Sequence, residues 1–178
     1  HLLGEYASVF AHTDILYKQR PDQDGNPVDI EAEDLAILIA KMKSGVSGTI
    51  EASKIATGTN DELRFEIHGD KGALRFNLME PNWLEFYDNT LPDADFGGEK
   101  GYKKIECVQR YQKPGGDFPG PKFSVGWIRA HVHSLYNFLC CVNEGREAVP
   151  SFQDGAYVQY VMEKAYESDR KKCWIDLE

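Results

Sequence analysis

The segment Leu35–Ala56, LAILIAKMKSGVSGTIEASKIA, most constrains the fold, because its apolar residues recur at every second position. Leu35, Ile37 and Ile39 share one face of an extended chain, and Ala36, Leu38 and Ala40 share the other. Both faces are apolar, so this strand is expected to be central and covered on both sides. A turn at Ser44-Gly45 leads into a second strand. There Val46, Ile50 and Ala52 alternate with Ser47, Thr49, Glu51 and Ser53, giving one buried face and one polar face.

The same period runs through most of the chain. Glu5–Lys18 is rich in β-branched and aromatic residues and reads as a strand, and Arg20–Asp34, with two prolines and a glycine, reads as a polar loop. ELRFEIHG, ALRFNL, NWLEFYDN and YKKIECVQ read as further strands joined by short turns, an antiparallel meander. Lys113–Lys122, KPGGDFPGPK, is a loop whose length suits a functional segment or one ordered by a partner.

Helical periodicity enters after that loop. Ile128, Val132, Leu135, Phe138, Leu139 and Val142 form one apolar stripe, with Gly145 as its stop. Ser151 caps a second helix with Asp154 three residues on, and Val158, Val161, Met162 and Ala165 form its buried stripe. CWIDL alternates like a closing strand. Strands, two helices and a strand define an α+β class: a largely antiparallel open sheet with helices packed on one face.

Composition removes several function classes. The net charge of −9, without a basic block, disfavours nucleic acid and an anionic membrane surface as partners. LAILIA is too short to span a bilayer. Cys107, Cys140, Cys141 and Cys173 form no Cys-x-x-Cys pair and read as reduced thiols, which points to the cytoplasm. His131 and His133 lie two apart on a helix and cannot chelate one ion from one face, so no metal site is expected.

EIHGDKGALRF poses a sharper question, since Gly-Asp-Lys-Gly resembles a phosphate cradle. A strand follows it, not a helix, so no helix N-terminus aims amides at a phosphate. It reads as a hairpin turn with Asp70-Lys71 at the tip, Gly69 and Gly72 supplying permissive backbone angles. No Gly-x-Gly-x-x-Gly occurs, so no cofactor-binding residue is assigned in this chain. Lys54, at a strand end, could reach a hydroxyl-rich ligand. Trp127 and Arg129 could present a stacking surface and a donor, and His131 is either a satisfied core histidine or a cleft-facing hydrogen-bonder. Thr49, Glu51 and Ser53 mark an exposed sheet face or an interface.

GTIEASKIATG, EIHGDKGALRF, GWIRAHVHSLYNFL and PSFQDGAYVQYVMEKAYESDRKKCWIDL, in that order, resemble the C-terminal half of the Gfo/Idh/MocA oxidoreductases. The resemblance implies one substrate-binding and oligomerisation domain over residues 1–178, with an N-terminal Rossmann domain for NAD or NADP absent from this chain. It implies hydride transfer on a sugar, polyol or related hydroxy compound, and a homo-dimer or tetramer formed through the open sheet face. The family's Glu-Lys-Pro motif is absent, and its Asp-x-x-x-His motif would fall at or before His1, since HLLG matches the end of that helix. No catalytic residue is therefore assigned here, and the chain alone is expected to be inactive and to bind no NAD tightly. The alternative is a non-catalytic dimerising or ligand-binding module of the same fold.

Overall fold

The structure, a computed structural model, describes residues 2–108, 112–118, 120 and 122–178. Among these residues, ten strands and two α-helices follow the order expected of an α+β chain: β1 Tyr6–Asp14, β2 Gln19–Pro21, β3 Pro27–Asp29, β4 Leu35–Met42, β5 Ser47–Ser53, β6 Arg64–His68, β7 Gly72–Asn77, β8 Trp83–Asp88, β9 Tyr102–Glu106, α1 Trp127–Glu144, α2 Phe152–Lys171 and β10 Ile175–Asp176. The chain divides into two compact units, residues 1–58 with 150–178, and residues 59–149. The meander divides with it. Every ladder is antiparallel, but the strands form two four-stranded sheets, β10-β1-β4-β5 and β6-β7-β8-β9, and a β2-β3 ribbon.

The first unit is built on β1. Val9 faces Ala40, and Ala11 faces Leu38, which in turn pairs with Ile50. Val9 and Ala40 meet α2 in a core that joins them to Val161 and Leu177, ringed by Tyr6, Tyr157 and Tyr160, whereas the buried face expected of β5 stays exposed, Ile50 at 40%. Burying a valine fully is worth about 1.5–3 kcal/mol relative to exposure, so Val9 and Val161 anchor the helix to the sheet. β10 pairs with β1 only at Ser8 and Val9. Beyond it the side chains of α2 complete the edge. Ala11 N–H donates to Ser168 Oγ (3.0 Å), and Thr13 donates from N (3.2 Å) and Oγ1 (3.0 Å) to the Asp169 carboxylate. An otherwise unpaired edge is thereby satisfied.

Local chemistry sets the helix ends. Ser151 accepts from Asp154 N while the Asp154 carboxylate accepts from Ser151 N, the reciprocal cap that the sequence predicts. Gly145 ends α1 in the left-handed region, at φ 64°.

Several expectations need correction. Arg20–Asp34 is not wholly loop. Asp22 Oδ1 accepts from Asp24 N and Asn26 N, and this turn closes β2 on β3. β4 is covered on the Ala40 side, which meets α2, while Ile37 and Ile39 on the other face remain about 40% exposed. The α1 stripe is inverted. Ile128, Leu135, Phe138, Leu139 and Val142 are exposed and Val132 is half-buried, while Arg129, held by the Phe118 and Gly120 carbonyls, and Cys141 are buried. On α2, Val161 and Ala165 are buried, but Val158 and Met162 lie on the rim of its contact with β1 and stay exposed. Leu2 and Leu3 form no helical turn, although Gly4 has the positive φ of a helix-ending glycine; His1 lies outside the described residues. The β6–β7 turn is the hairpin expected, with Gly69 N–H on Gly72 O at 2.8 Å. Neither glycine needs a positive φ; a Cβ on Gly72 would stand 2.4 Å from Tyr87 O, so close approach demands it.

Candidate functional site

In the second unit, period-two alternation sends Phe76, Leu78 and Leu84 to one face of the sheet. The first turns of α1 overhang that face. A cavity of about 520 Å³ lies between, lined by these residues with Pro81, Cys107, Trp127, Ala130 and His131. Asn82, which follows Pro81 before β8, fixes the helix start. Its Oδ1 accepts from Val125 N (2.7 Å) and Ser124 Oγ (3.0 Å), and its own carbonyl accepts from Cys107 N (2.8 Å). Sequence reasoning misses Asn82; the only signal is a Pro-Asn pair between two strands.

Trp127 and His131 are one helical turn apart, so their rings share a face of α1, 5.9 Å between centroids and inclined by 33°. They give the rim of the cavity a flat aromatic surface and a titratable donor. Arg129 does not join them. It is 1% exposed, its Nε donates to Phe118 O at 2.9 Å, and its Nη2 donates to Gly120 O. Its guanidinium holds Phe118 and Gly120 against the helix through Nε and Nη2, while Nη1 is buried without a hydrogen-bond partner among the described residues.

Lys54 lies in the first unit, just past β5. Its N–H donates to Asp34 O at 2.8 Å and its ammonium to Glu33 O at 3.0 Å. Asp34 beside it is 3% exposed and accepts from Tyr17 N (2.9 Å) and Arg20 Nη2 (2.6 Å). The Tyr17 N–H, and then the Arg20 guanidinium, hold its carboxyl below the ordinary aspartate range. Tyr166 Oη donates to Glu33 Oε1 at 2.9 Å, which raises the phenol's pKa. Lys54 thus ends a polar corner around residues 33–34.

Thr49, Glu51 and Ser53 pair with Ile39, Ile37 and Leu35 on the sheet face away from α2. The face is less polar than the sequence predicts, because Ile37, Ile39 and Trp174 are exposed on the same sheet, with Lys41 Nζ 4.8 Å from the Trp174 ring centroid. β5 is also the outer strand of its sheet.

Among the described residues, neither helix start has the strand, glycine turn and helix arrangement that cradles a dinucleotide. The N-terminus of α2 already holds the Asp154 carboxylate, which would repel a phosphate there, and a loop, not a strand and glycine turn, leads into α1. Among the described residues, no group of three His, Cys, Asp or Glu is placed to hold a metal ion, and no helix is long and apolar enough to cross a membrane.

Two antiparallel sheets and two helices define an α+β chain, with an aromatic-rimmed cavity in its second unit. Residues 1–177 match the model of the oxidoreductase family, C-terminal alpha/beta domain. The chain belongs to the Gfo/Idh/MocA oxidoreductase family and corresponds to its C-terminal domain. It is similar to a levoglucosan dehydrogenase of Pseudarthrobacter phenanthrenivorans, 26% identical over 192 residues, covering 99% of this chain and 48% of the relative. The crystal structure of an oxidoreductase domain protein from Kribbella flavida has a TM-score of 0.88 at 26% identity, covering 97% of this chain and 44% of that one. A levoglucosan dehydrogenase in complex with NADH and levoglucosan has a TM-score of 0.86 at 26% identity, covering 99% and 46%. The chain thus spans just under half the length of the curated relatives it matches.

Proposed function

We propose that this chain is the substrate-facing and oligomerising domain of an NAD(P)-dependent dehydrogenase that moves hydride to or from a sugar, polyol or related hydroxy compound. The observation that carries the reading is the similarity, over nearly the whole chain, to a dehydrogenase solved with NADH and a sugar derivative. The nicotinamide cofactor supplies the hydride chemistry and is held by residues outside this chain. The roles left to this chain are binding and orientation. Trp127 offers its face to the C–H side of a sugar ring, His131 donates to or accepts from one hydroxyl, and Lys54 is a further hydroxyl-binding candidate. Arg129 acts as a positioning residue that orders the loop beneath the helix start. Thr49, Glu51 and Ser53, with Ile37 and Ile39 beside them, form the open face through which a homo-oligomer assembles.

One observation favours the second reading, a non-catalytic ligand-binding or dimerising module: His131 is the only ionisable side chain lining the cavity apart from the Cys107 thiol, among the described residues. The test uses the longer protein that contains this chain. Reduction of NAD or NADP is followed spectroscopically across a panel of sugars, anhydrosugars and polyols, in the parent and in His131→Ala. Turnover is expected, with KM raised about tenfold in the variant, the weight of one lost hydrogen bond of roughly 1.4 kcal/mol. No turnover with any member of the panel would overturn the dehydrogenase reading. An unchanged KM would remove His131 from the site.

A further inference from the structure

The cavity beside α1 is short of polar groups for a ligand rich in hydroxyls. Phe76, Leu78, Leu84 and Val125 offer it carbon, and among the side chains that line it only Cys107, Trp127 and His131 carry hydrogen-bonding atoms. The Cys107 thiol already donates to Ile105 O at 3.6 Å. Asn82, close by, is engaged as well: its Oδ1 accepts from Val125 N and Ser124 Oγ, and its carbonyl from Cys107 N. Trp127 and His131 remain, and both stand on the exposed rim.

That inventory decides what enters. A hydroxyl carried into an apolar wall without a partner weakens binding by about tenfold or more. A bare sugar ring or polyol brings several, so it stays out. A peptide segment is excluded for the same reason, since its amides and carbonyls would meet no partner inside. Carbon fits. The volume of about 520 Å³ is roughly three times the ~150 Å³ of an apolar cavity that takes one benzene. It has room for an aromatic ring or for a chain of several carbons.

We propose that the cavity takes an apolar aglycone. The ligand is a glycoside whose aryl or alkyl group enters between the sheet and α1, while its sugar ring stays outside, against Trp127 and within reach of His131. The proposal rests on the reading of that rim as the edge that meets the sugar, and narrows the substrate class from sugars and polyols at large to glycosides with an apolar group. The geometry suits a ligand with two unlike halves. At the rim, the Trp127 and His131 rings, 5.9 Å apart and inclined by 33°, present one broad surface to the C–H face of a sugar. Inside, Leu84 and Phe76, whose ring packs on Phe65 at 5.6 Å, present carbon. Reversing the ligand would leave unpaired hydroxyls inside and carbon in water, so one orientation is selected.

Alkyl glycosides of increasing chain length test it, with binding and not turnover as the readout. Dissociation constants of the methyl, butyl and hexyl glycosides of glucose, galactose and mannose are measured by calorimetry on the longer protein that contains this chain. Each fully buried methylene tightens binding about fourfold, so burying two of those added between methyl and hexyl gives about fifteenfold. The expected result, with at least one of the sugars, is hexyl binding at least about tenfold tighter than methyl. Ala130→Phe fills the cavity from the exposed surface of α1 and should bring that ratio down to about two or less. Cys107 supplies a measurement that needs no variant. Its alkylation by N-ethylmaleimide, read by mass spectrometry on its own peptide, should slow at least about fivefold on saturation with the hexyl glycoside, because the alkyl chain lies against the thiol. No binding by any of the series, affinity that does not rise with chain length, a ratio unchanged in Ala130→Phe, or Cys107 equally reactive at saturation overturns the proposal. Should Ala130→Phe fail to fold by circular dichroism, the parental series and Cys107 decide. Tight hexyl binding with Cys107 protected but no turnover refutes the dehydrogenase reading and leaves the aglycone assignment standing.

Discussion

Ser168→Ala probes how the first sheet is closed. Ser168 is fully buried; its Oγ accepts from Ala11 N at 3.0 Å and donates to Cys173 O at 2.6 Å. Removing the hydroxyl strands the Ala11 amide, which is buried at 1% exposure beyond the end of β10. An orphaned buried donor costs about 1–3 kcal/mol. The lost bond to Cys173 adds about 0.5–1 kcal/mol, the lower end applying because that residue is exposed and water can replace the hydroxyl. Alanine's better helix propensity returns about 0.5 kcal/mol. The sum is a loss of about 2 kcal/mol, a large share of the roughly 5–15 kcal/mol that stabilises a typical domain. In equilibrium urea unfolding the midpoint should fall by about 1 M at an m-value near 2 kcal/mol/M, with m unchanged. Amide exchange at Ala11 reads the same event locally and should accelerate more than at Val9, whose backbone stays in the ladder. A variant within about 0.5 kcal/mol of the parent, with Ala11 still protected, would refute the claim that α2 side chains complete this edge.

Two more perturbations follow from the same geometry. The Lys172 ammonium, and then Thr13 N–H and Oγ1, bring the Asp169 carboxyl down to about 2, against a partial desolvation that opposes them. A depressed carboxylate contributes stability above its unfolded pKa of 3.8 and loses it as pH falls toward 2; urea unfolding from pH 5 to 2 should therefore show a steeper loss for the parent than for Asp169→Asn, and parallel curves would refute the assignment. Gly72→Ala places a Cβ 2.4 Å from the Tyr87 carbonyl oxygen, backbone that cannot turn aside; a loss of about 1–3 kcal/mol in thermal or urea unfolding is expected, and an unchanged midpoint would mean that β7 and β8 separate freely.

The candidate site is legible in part. Trp127 and His131 stand out in the sequence as residues at a helix start after a long loop, and they do share the cavity rim. Arg129 groups with them on sequence adjacency alone, yet it faces the other side of α1, because residues two apart on a helix diverge by about 200°. Asn82 escapes a reading of the sequence because its partners, Ser124 and Val125, lie more than forty residues away.

The sequence by itself determined what depends on near neighbours. Period-two alternation set where the strands run; Ser151 with Asp154, and Gly145, set helix ends; Gly69-Asp70-Lys71-Gly72 marked a hairpin turn. These are properties of a few consecutive residues and their backbone angles. Only the tertiary structure decided which strands share a sheet, that Ile37 and Ile39 stay exposed, that Arg129 is buried, and that Phe76, Leu84, Cys107 and Trp127 line one cavity. Those outcomes depend on register and on what packs against each face. Contacts between distant residues fix them, and no local pattern encodes which distant residue arrives.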